Sequence, residues 1–174
     1  MKKSDLAGEL FELPIETAHG KFIAHYSTRG LAALEFPRPA KANGRDKIST
    51  AAISRPVKAW HRLATQALGH AVAGRPPGKL PPLDLSAGTE FQQRVWGELR
   101  KIAAGRTRSY GEIAQAIGKA KAVRAVGGAC GANPIPVLVP CHRVLAANQK
   151  LGGFSGGLEW KIKLLAREGI EIGG

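Results

Sequence analysis

The stretch Arg75-Pro76-Pro77-Gly78-Lys79-Leu80-Pro81-Pro82 puts four prolines and a glycine within eight residues, and neither a continuous helix nor a central strand can run through it. A stiff, extended connector is the conformation that such a composition favours. The chain is therefore expected to fold as two units, residues 1–75 and 86–174, joined by a linker at 76–85. At 174 residues and 44% hydrophobic content there is enough apolar mass for one large core or two small ones.

In the first half, Phe11, Leu13, Ile15 and Thr17 alternate with Glu12, Pro14 and Glu16, the period of a strand. Two more apolar runs, Phe22–Tyr26 and Leu31–Phe36, flank a turn at Arg29-Gly30, so a small antiparallel sheet is expected. After a polar loop at Lys41–Asp46, Val57, Trp60, Leu63, Ala64 and Ala67 recur at helical spacing and predict one amphipathic helix to cover that sheet. Nothing in this half points to catalysis.

The second half is predicted to be mostly helical. Thr89 with Gln92 forms a capping box ahead of Phe91, Val95, Leu99 and Ile102, with Gly105 as the stop. Ser109 with Glu112 repeats the device for a short helix through Ile113 and Ile117 to Gly118, and a further helix follows from Ala122 to Ala132. Two short helices joined by a tight turn match a helix-turn-helix, and a generic helical hairpin has the same spacing. The later helix is built from Arg124, Ala125, Gly127, Gly128, Gly131 and similar small residues, which read no base edges but let a backbone approach another surface closely. A DNA groove and the protein's own core are the two surfaces that could demand this.

With 26 Lys+Arg against 13 Asp+Glu, the formal charge of +13 draws the chain to polyanions, nucleic acid foremost, although such an excess also serves solubility. No run of eighteen apolar residues and no apolar leader follow Met1, so a cytoplasmic location is expected, with no membrane association. Cys130 and Cys141 form neither a disulfide framework nor a CxxC pair, and the histidines at 19, 25, 61, 70 and 142 are scattered. Two free thiols, no metal and no cofactor are the expectation.

The motifs Ser109-Tyr110-Gly111-Glu112-Ile113-Ala114, Arg124-Ala125-Val126-Gly127-Gly128-Ala129, Asn133-Pro134, Pro140-Cys141-His142-Arg143-Val144 and Phe154-Ser155-Gly156-Gly157 occur in this order. Together they closely resemble the O6-alkylguanine-DNA alkyltransferases, the methylated-DNA–protein-cysteine methyltransferases, densely from about Phe91 to Gly169. The resemblance implies an α/β (α+β) fold: a ribonuclease-H-like N-terminal unit of small antiparallel sheet plus helix, without separate activity, and a mostly helical, winged-helix-like C-terminal unit carrying the helix-turn-helix. It implies DNA repair by direct reversal. An alkyl group passes irreversibly from O6 of a flipped guanine in duplex DNA to Cys141, one transfer per molecule, by a protein that is a monomer in solution; action on O4 of thymine and cooperativity along DNA stay open.

Displacement at carbon needs a thiolate, whereas a cysteine with a pKa of about 8.5 is only a few per cent ionised at neutral pH. His142 follows Cys141 in a segment read as extended, where neighbouring side chains diverge, so a water is the natural relay. Glu168 shares the core-facing side of the last helix with Leu164 and Leu165 and is the candidate that orients His142; a surface charge at a helix end is the alternative. By resemblance, Tyr110 donates to guanine N3, Ser155 and the backbone around it bind O6, with Gly156 in the same loop, and Asn133 braces the nucleophile's turn. Half-buried packing is the other reading of Tyr110. Phe154 stands where many relatives carry tyrosine, keeping an apolar pocket wall without the hydroxyl. Arg124 is the residue to fill the space left by the extruded base, a phosphate contact being the other reading. Cys130 is a packing residue.

Two other activities use parts of this pattern. Alkyltransferase-like proteins flag the lesion without repairing it, but they replace the cysteine. A thiol hydrolase would use cysteine, histidine and glutamate for acyl transfer, leaving the helix pair and the +13 charge unexplained.

Overall fold

The computed structural model describes residues 10–39 and 52–172; the polar loop expected at 41–46 lies outside them. Among the described residues the fold is mixed α/β, with a small antiparallel three-stranded sheet and five α-helices. Strands β1 (Phe11–Thr17), β2 (Gly20–Ser27) and β3 (Gly30–Glu35) pair in sequence order, from Phe11 opposite Tyr26 to Ser27 opposite Gly30, with a bulge at His25/Tyr26. Helix α1 (Arg55–Val72) starts with proline in its first turn, where a missing N–H costs nothing, and buries Val57, Ala64, Ala67, Leu68, Ala71 and Val72. The Tyr26 hydroxyl meets His61 Nδ1 at 2.9 Å, a polar contact between sheet and helix.

The proline-rich segment is held against the sheet. Leu31 N–H donates to Pro82 O and Asp84 N–H donates to Leu31 O, both at 2.8 Å, so the segment lies parallel to β3 and occupies part of its free edge. A little further along the same strand, Leu34 N–H donates to Pro134 O at 2.9 Å. Gly30 makes the first approach possible: its φ is +152°, and a Cβ there would lie 2.2 Å from Pro82 O. Gly30→Ala is therefore expected to destabilise the protein by more than about 1 kcal/mol, because both conformation and space forbid the methyl group. A denaturant midpoint equal to that of the parent protein would contradict this.

In the second half, helices α2 (Glu90–Leu99) and α3 (Tyr110–Ala116) carry the two capping boxes, with Thr89 and Ser109 accepting from the third helical N–H and Gln92 and Glu112 reaching back. Helix α2 stops earlier than its periodicity suggests: Lys101 and Ile102 close tighter turns onto Glu98 O and Leu99 O, leaving Ile102 buried outside the helix. Between them β4 (Arg108–Ser109) pairs in parallel with β5 (Val144–Leu145). Gly118, at φ +71°, turns the chain into α4 (Val123–Gly131), and α5 (Leu158–Arg167) closes the fold.

One buried apolar cluster runs through both halves. Phe22, Phe36, Phe154 and Trp160 form its aromatic seam, with ring centroids 5.1–5.6 Å apart in tilted and edge-on pairs. The segment around Cys141 is not extended, contrary to expectation. Cys141–Arg143 is a short 3-10 turn, closed by Arg143 N–H donating to Pro140 O at 3.1 Å, so successive side chains diverge by about 120° and not by 180°.

Candidate active site

The turn that carries Cys141 is held from behind by Asn133. Its side-chain amide donates to Val139 O at 2.7 Å and its carbonyl oxygen accepts from Ile135 N–H at 3.0 Å, bridging the loop before Cys141. Within that loop Val137, almost fully buried, has a φ of +74°, a conformation a β-branched residue adopts only when its surroundings force it. Asn133→Ala should lower stability by about 1–3 kcal/mol, because Ile135 N–H and Val139 O lose their buried partner. Denaturant titration checks this.

Cys141 is 4% exposed, and burial pushes its thiol above the usual range; a hydrogen bond from Asn133 and the nearby Lys161 charge oppose the rise. The resting group is a thiol, so it could act as a nucleophile only after losing its proton. His142, 1% exposed, has its Nε2 2.9 Å from Glu168 Oε1. Burial holds His142 below its ordinary pKa, so the ring is neutral near pH 7. A carboxylate can only accept, hence Nε2 carries the hydrogen and Nδ1 keeps a free lone pair. Among the described residues, Nδ1 is the one buried side-chain nitrogen or oxygen without a hydrogen-bond partner.

Glu168 is the residue that ends α5, and its side chain is buried, as the helical periodicity implied. Burial alone would raise its pKa, but the hydrogen bonds and charges of His142 and Arg143 bring it down to about 2. Arg143 was not singled out by its pattern. It binds both carboxylate oxygens through Nε, adds a 2.8 Å bond from Nη2 to Oε1, and donates through Nη1 to Ile102 O.

Lys161 is the second residue that sequence reasoning missed. Fully buried, its ammonium donates to Val144 O at 2.7 Å, to Leu151 O and to Gly153 O, tying the loop after Cys141 to α5. A signal existed, since Lys161 precedes Leu164 by three and Leu165 by four, on the face that pointed to Glu168.

Tyr110 is half-buried at the start of α3, its hydroxyl pushed up to about 12 by burial and by the neighbouring Cys130 and Cys141, so it stays a donor. Cys130 is likewise pushed up to about 12, chiefly by burial, and is inert near neutral pH. Phe154 stands beside His142, with centroids 6.5 Å apart, and against Phe36 of the sheet half. Gly156 lies on the same ring, where a Cβ would come within 2.5 Å of Phe36. Ser155 is exposed and makes no hydrogen bond to Cys141.

The remaining positions lie on α4, apart from this cluster. Arg124, Ala125, Gly128 and Gly131 are exposed and Gly127 is half-exposed. A Cβ at any of the three glycines would meet open space, so packing against the protein's own core does not account for them. Among the described residues no three His, Cys, Asp or Glu side chains group as a metal site, and no helix is long and apolar enough to cross a membrane.

A family model described as the DNA binding domain of 6-O-methylguanine DNA methyltransferase matches residues 90–170. Among curated relatives, a methylated-DNA–protein-cysteine methyltransferase of Mycolicibacterium paratuberculosis is 54% identical over 94 residues, covering 52% of this chain and 57% of that protein. One of Methanosarcina acetivorans is 53% identical over 95 residues, covering 53% and 61%. The chain thus spans little more than half the length of the curated relatives it matches. The crystal structure of Mycobacterium tuberculosis OGT in complex with DNA is 40% identical, covers 89% of this chain and 90% of that one, and superposes with a TM-score of 0.70. The chain belongs to the O6-methylguanine DNA methyltransferase family. A second crystal structure, of Mycobacterium tuberculosis O6-methylguanine methyltransferase, is 36% identical across 91% of this chain and 92% of that one, with a TM-score of 0.69. Likeness to this family therefore extends through the sheet half as well as the part that the family model matches.

Proposed function

We propose that this protein repairs DNA by direct reversal, moving an alkyl group from O6 of guanine in duplex DNA to Cys141, once per molecule. The observation that carries the reading is the bare, buried Nδ1 of His142, next in the chain to a thiol and fixed by Glu168 behind it. The partner is duplex DNA carrying O6-alkylguanine, and the names of the relatives support that choice.

In the proposed reaction the lesion base rotates out of the duplex, and its alkyl carbon comes in line with Cys141 Sγ. The thiol proton passes through a water to His142 Nδ1, the carbon–sulfur bond forms, and the bond from carbon to O6 breaks with its electrons staying on guanine. Tyr110 donates a proton to the departing base at N3, and the proton held by His142 restores the balance. Unmodified guanine, still attached to its strand, and a thioether on Cys141 result. Ser155 and the backbone beside Gly156 receive O6, while Phe154 forms an apolar wall.

Helices α3 and α4 act in this reading as a winged-helix-like helix-turn-helix, with Ala125, Gly127, Gly128 and Gly131 approaching the groove and Arg124 entering the stack. The sheet with α1 corresponds to a ribonuclease-H-like unit over 1–75, and 76–85 to a linker ahead of the working unit at 86–174.

Incubation with duplex bearing a labelled O6-methyl group, followed by peptide mass measurement, tests the proposal. A gain of about 14 Da on the Cys141 peptide, equimolar with protein and without turnover, is expected. An unmodified Cys141 or multiple turnovers would overturn it. Tyr110→Phe should slow transfer about 100-fold or more by removing the donor to N3, and an unchanged single-turnover rate would remove Tyr110 from the mechanism.

A further inference from the structure

Helix α1 carries Arg55, Lys58 and Arg62, all exposed. At 100° per residue the three fall within an arc of about 60°, opposite the face that buries Ala64, Ala67 and Ala71. The helix contains no Asp or Glu at all. Some exposed cations elsewhere are matched, Lys101 with Glu98, Lys163 with Glu159, Arg29 with Asp84 and Arg38 with Glu35, and others, such as Arg100, Lys119 and Lys121, are not. Among the described residues, Arg55, Lys58 and Arg62 have neither an ion-pair nor a hydrogen-bond partner.

Folding does not explain this arrangement. Arg55 and Lys58 lie in the first turn, at the positive end of the helix dipole, where acids stabilise and cations cost. Their stems contribute nothing to the core beneath α1, and three like charges on one face repel one another. A line of unpaired cations on a rigid helix is the surface that a regularly spaced polyanion complements.

We propose that the outward face of α1, through Arg55, Lys58 and Arg62, is a second DNA-contacting surface that grips the phosphate backbone of duplex DNA. The inference rests on the DNA-repair reading and gives the sheet half a part in binding, separate from α4. Each cation neutralises a phosphate and releases its counterion, so the stripe steepens the salt dependence of binding without adding sequence preference.

The test is the triple variant Arg55→Gln/Lys58→Gln/Arg62→Gln, titrated against unmodified duplex DNA over a range of salt. The log–log slope is expected to become shallower by about 2–3, at about 0.9 per lost phosphate contact. The charge-retaining variant Arg55→Lys/Arg62→Lys should keep the parent slope, and alkyl transfer from free O6-benzylguanine should be unchanged in all three proteins. A triple variant with the parent slope would overturn the stripe while leaving the repair reading intact. Failure of the parent protein to accept an alkyl group would overturn the repair reading itself, and the slope comparison would still decide whether α1 touches DNA.

Discussion

Cys141→Ala is expected to abolish alkyl transfer completely while leaving duplex affinity within about twofold of the parent, since the cations proposed to hold phosphate lie elsewhere. The loss should be total because no other group can replace the sulfur. Cys130, the other thiol, is pushed up to about 12 chiefly by its burial and is locked into α4. Cys130→Ala should therefore transfer at a rate near the parent's, with at most about 1–2 kcal/mol lost from packing. Single-turnover assays on duplex carrying O6-methylguanine separate the two variants. Residual transfer by Cys141→Ala, or its loss in Cys130→Ala, would reassign the nucleophile.

The second large effect concerns Glu168. Glu168→Ala leaves the Arg143 guanidinium, 7% exposed, buried without its counter-charge, which costs about 3–5 kcal/mol. For a domain of this size that is a fall in Tm on the order of 10 °C. Glu168→Gln separates folding from chemistry. The amide retains hydrogen-bonding capacity and should fold, but its NH2 can donate to Nε2 and move the ring hydrogen to Nδ1, removing the lone pair proposed to take the thiol proton. Transfer should fall about 100-fold or more. A Glu168→Gln protein with parent rate and parent Tm would remove Glu168 from both roles.

The same pair sets the response to acid. Glu168 is depressed from 4.5 to about 2, so the stability it contributes is fully present above pH 4.5 and is lost as pH falls towards 2. His142 is buried neutral with its pKa below 6.5, so the unfolded chain binds its proton first and stability also declines on acidification below pH 6.5. Both contributions weaken in acid and neither weakens in base. A denaturation midpoint that rose between pH 6.5 and 4 would contradict the assignment of a neutral His142.

Much of this was legible in local pattern. The two capping boxes announced α2 and α3 because Thr89 with Gln92 and Ser109 with Glu112 satisfy backbone groups within four residues. Alternation pointed to the first strand, two apolar runs about the Arg29-Gly30 turn pointed to the other two, and the position of Glu168 relative to Leu164 and Leu165 foretold its burial. The 3-10 turn at Cys141 was not legible, because it depends on Asn133 reaching Val139 and on Val137 being held at a positive φ by its packing. Arg143 and Lys161 were missed for a related reason. Their partners, Glu168, Ile102 O, Val144 O, Leu151 O and Gly153 O, are brought to them by tertiary folding, and a charged residue read by itself is assigned to the surface.

The Leu34 N–H to Pro134 O bond joins main-chain atoms on both sides, and so do the bonds from Leu31 to Pro82 and Asp84. Such a join is blind to the identity of the side chains that flank it. The amino-terminal strands are thus at liberty to exchange most of their exposed residues over evolutionary time, as long as β3 keeps its place, without loosening the scaffold beneath Cys141.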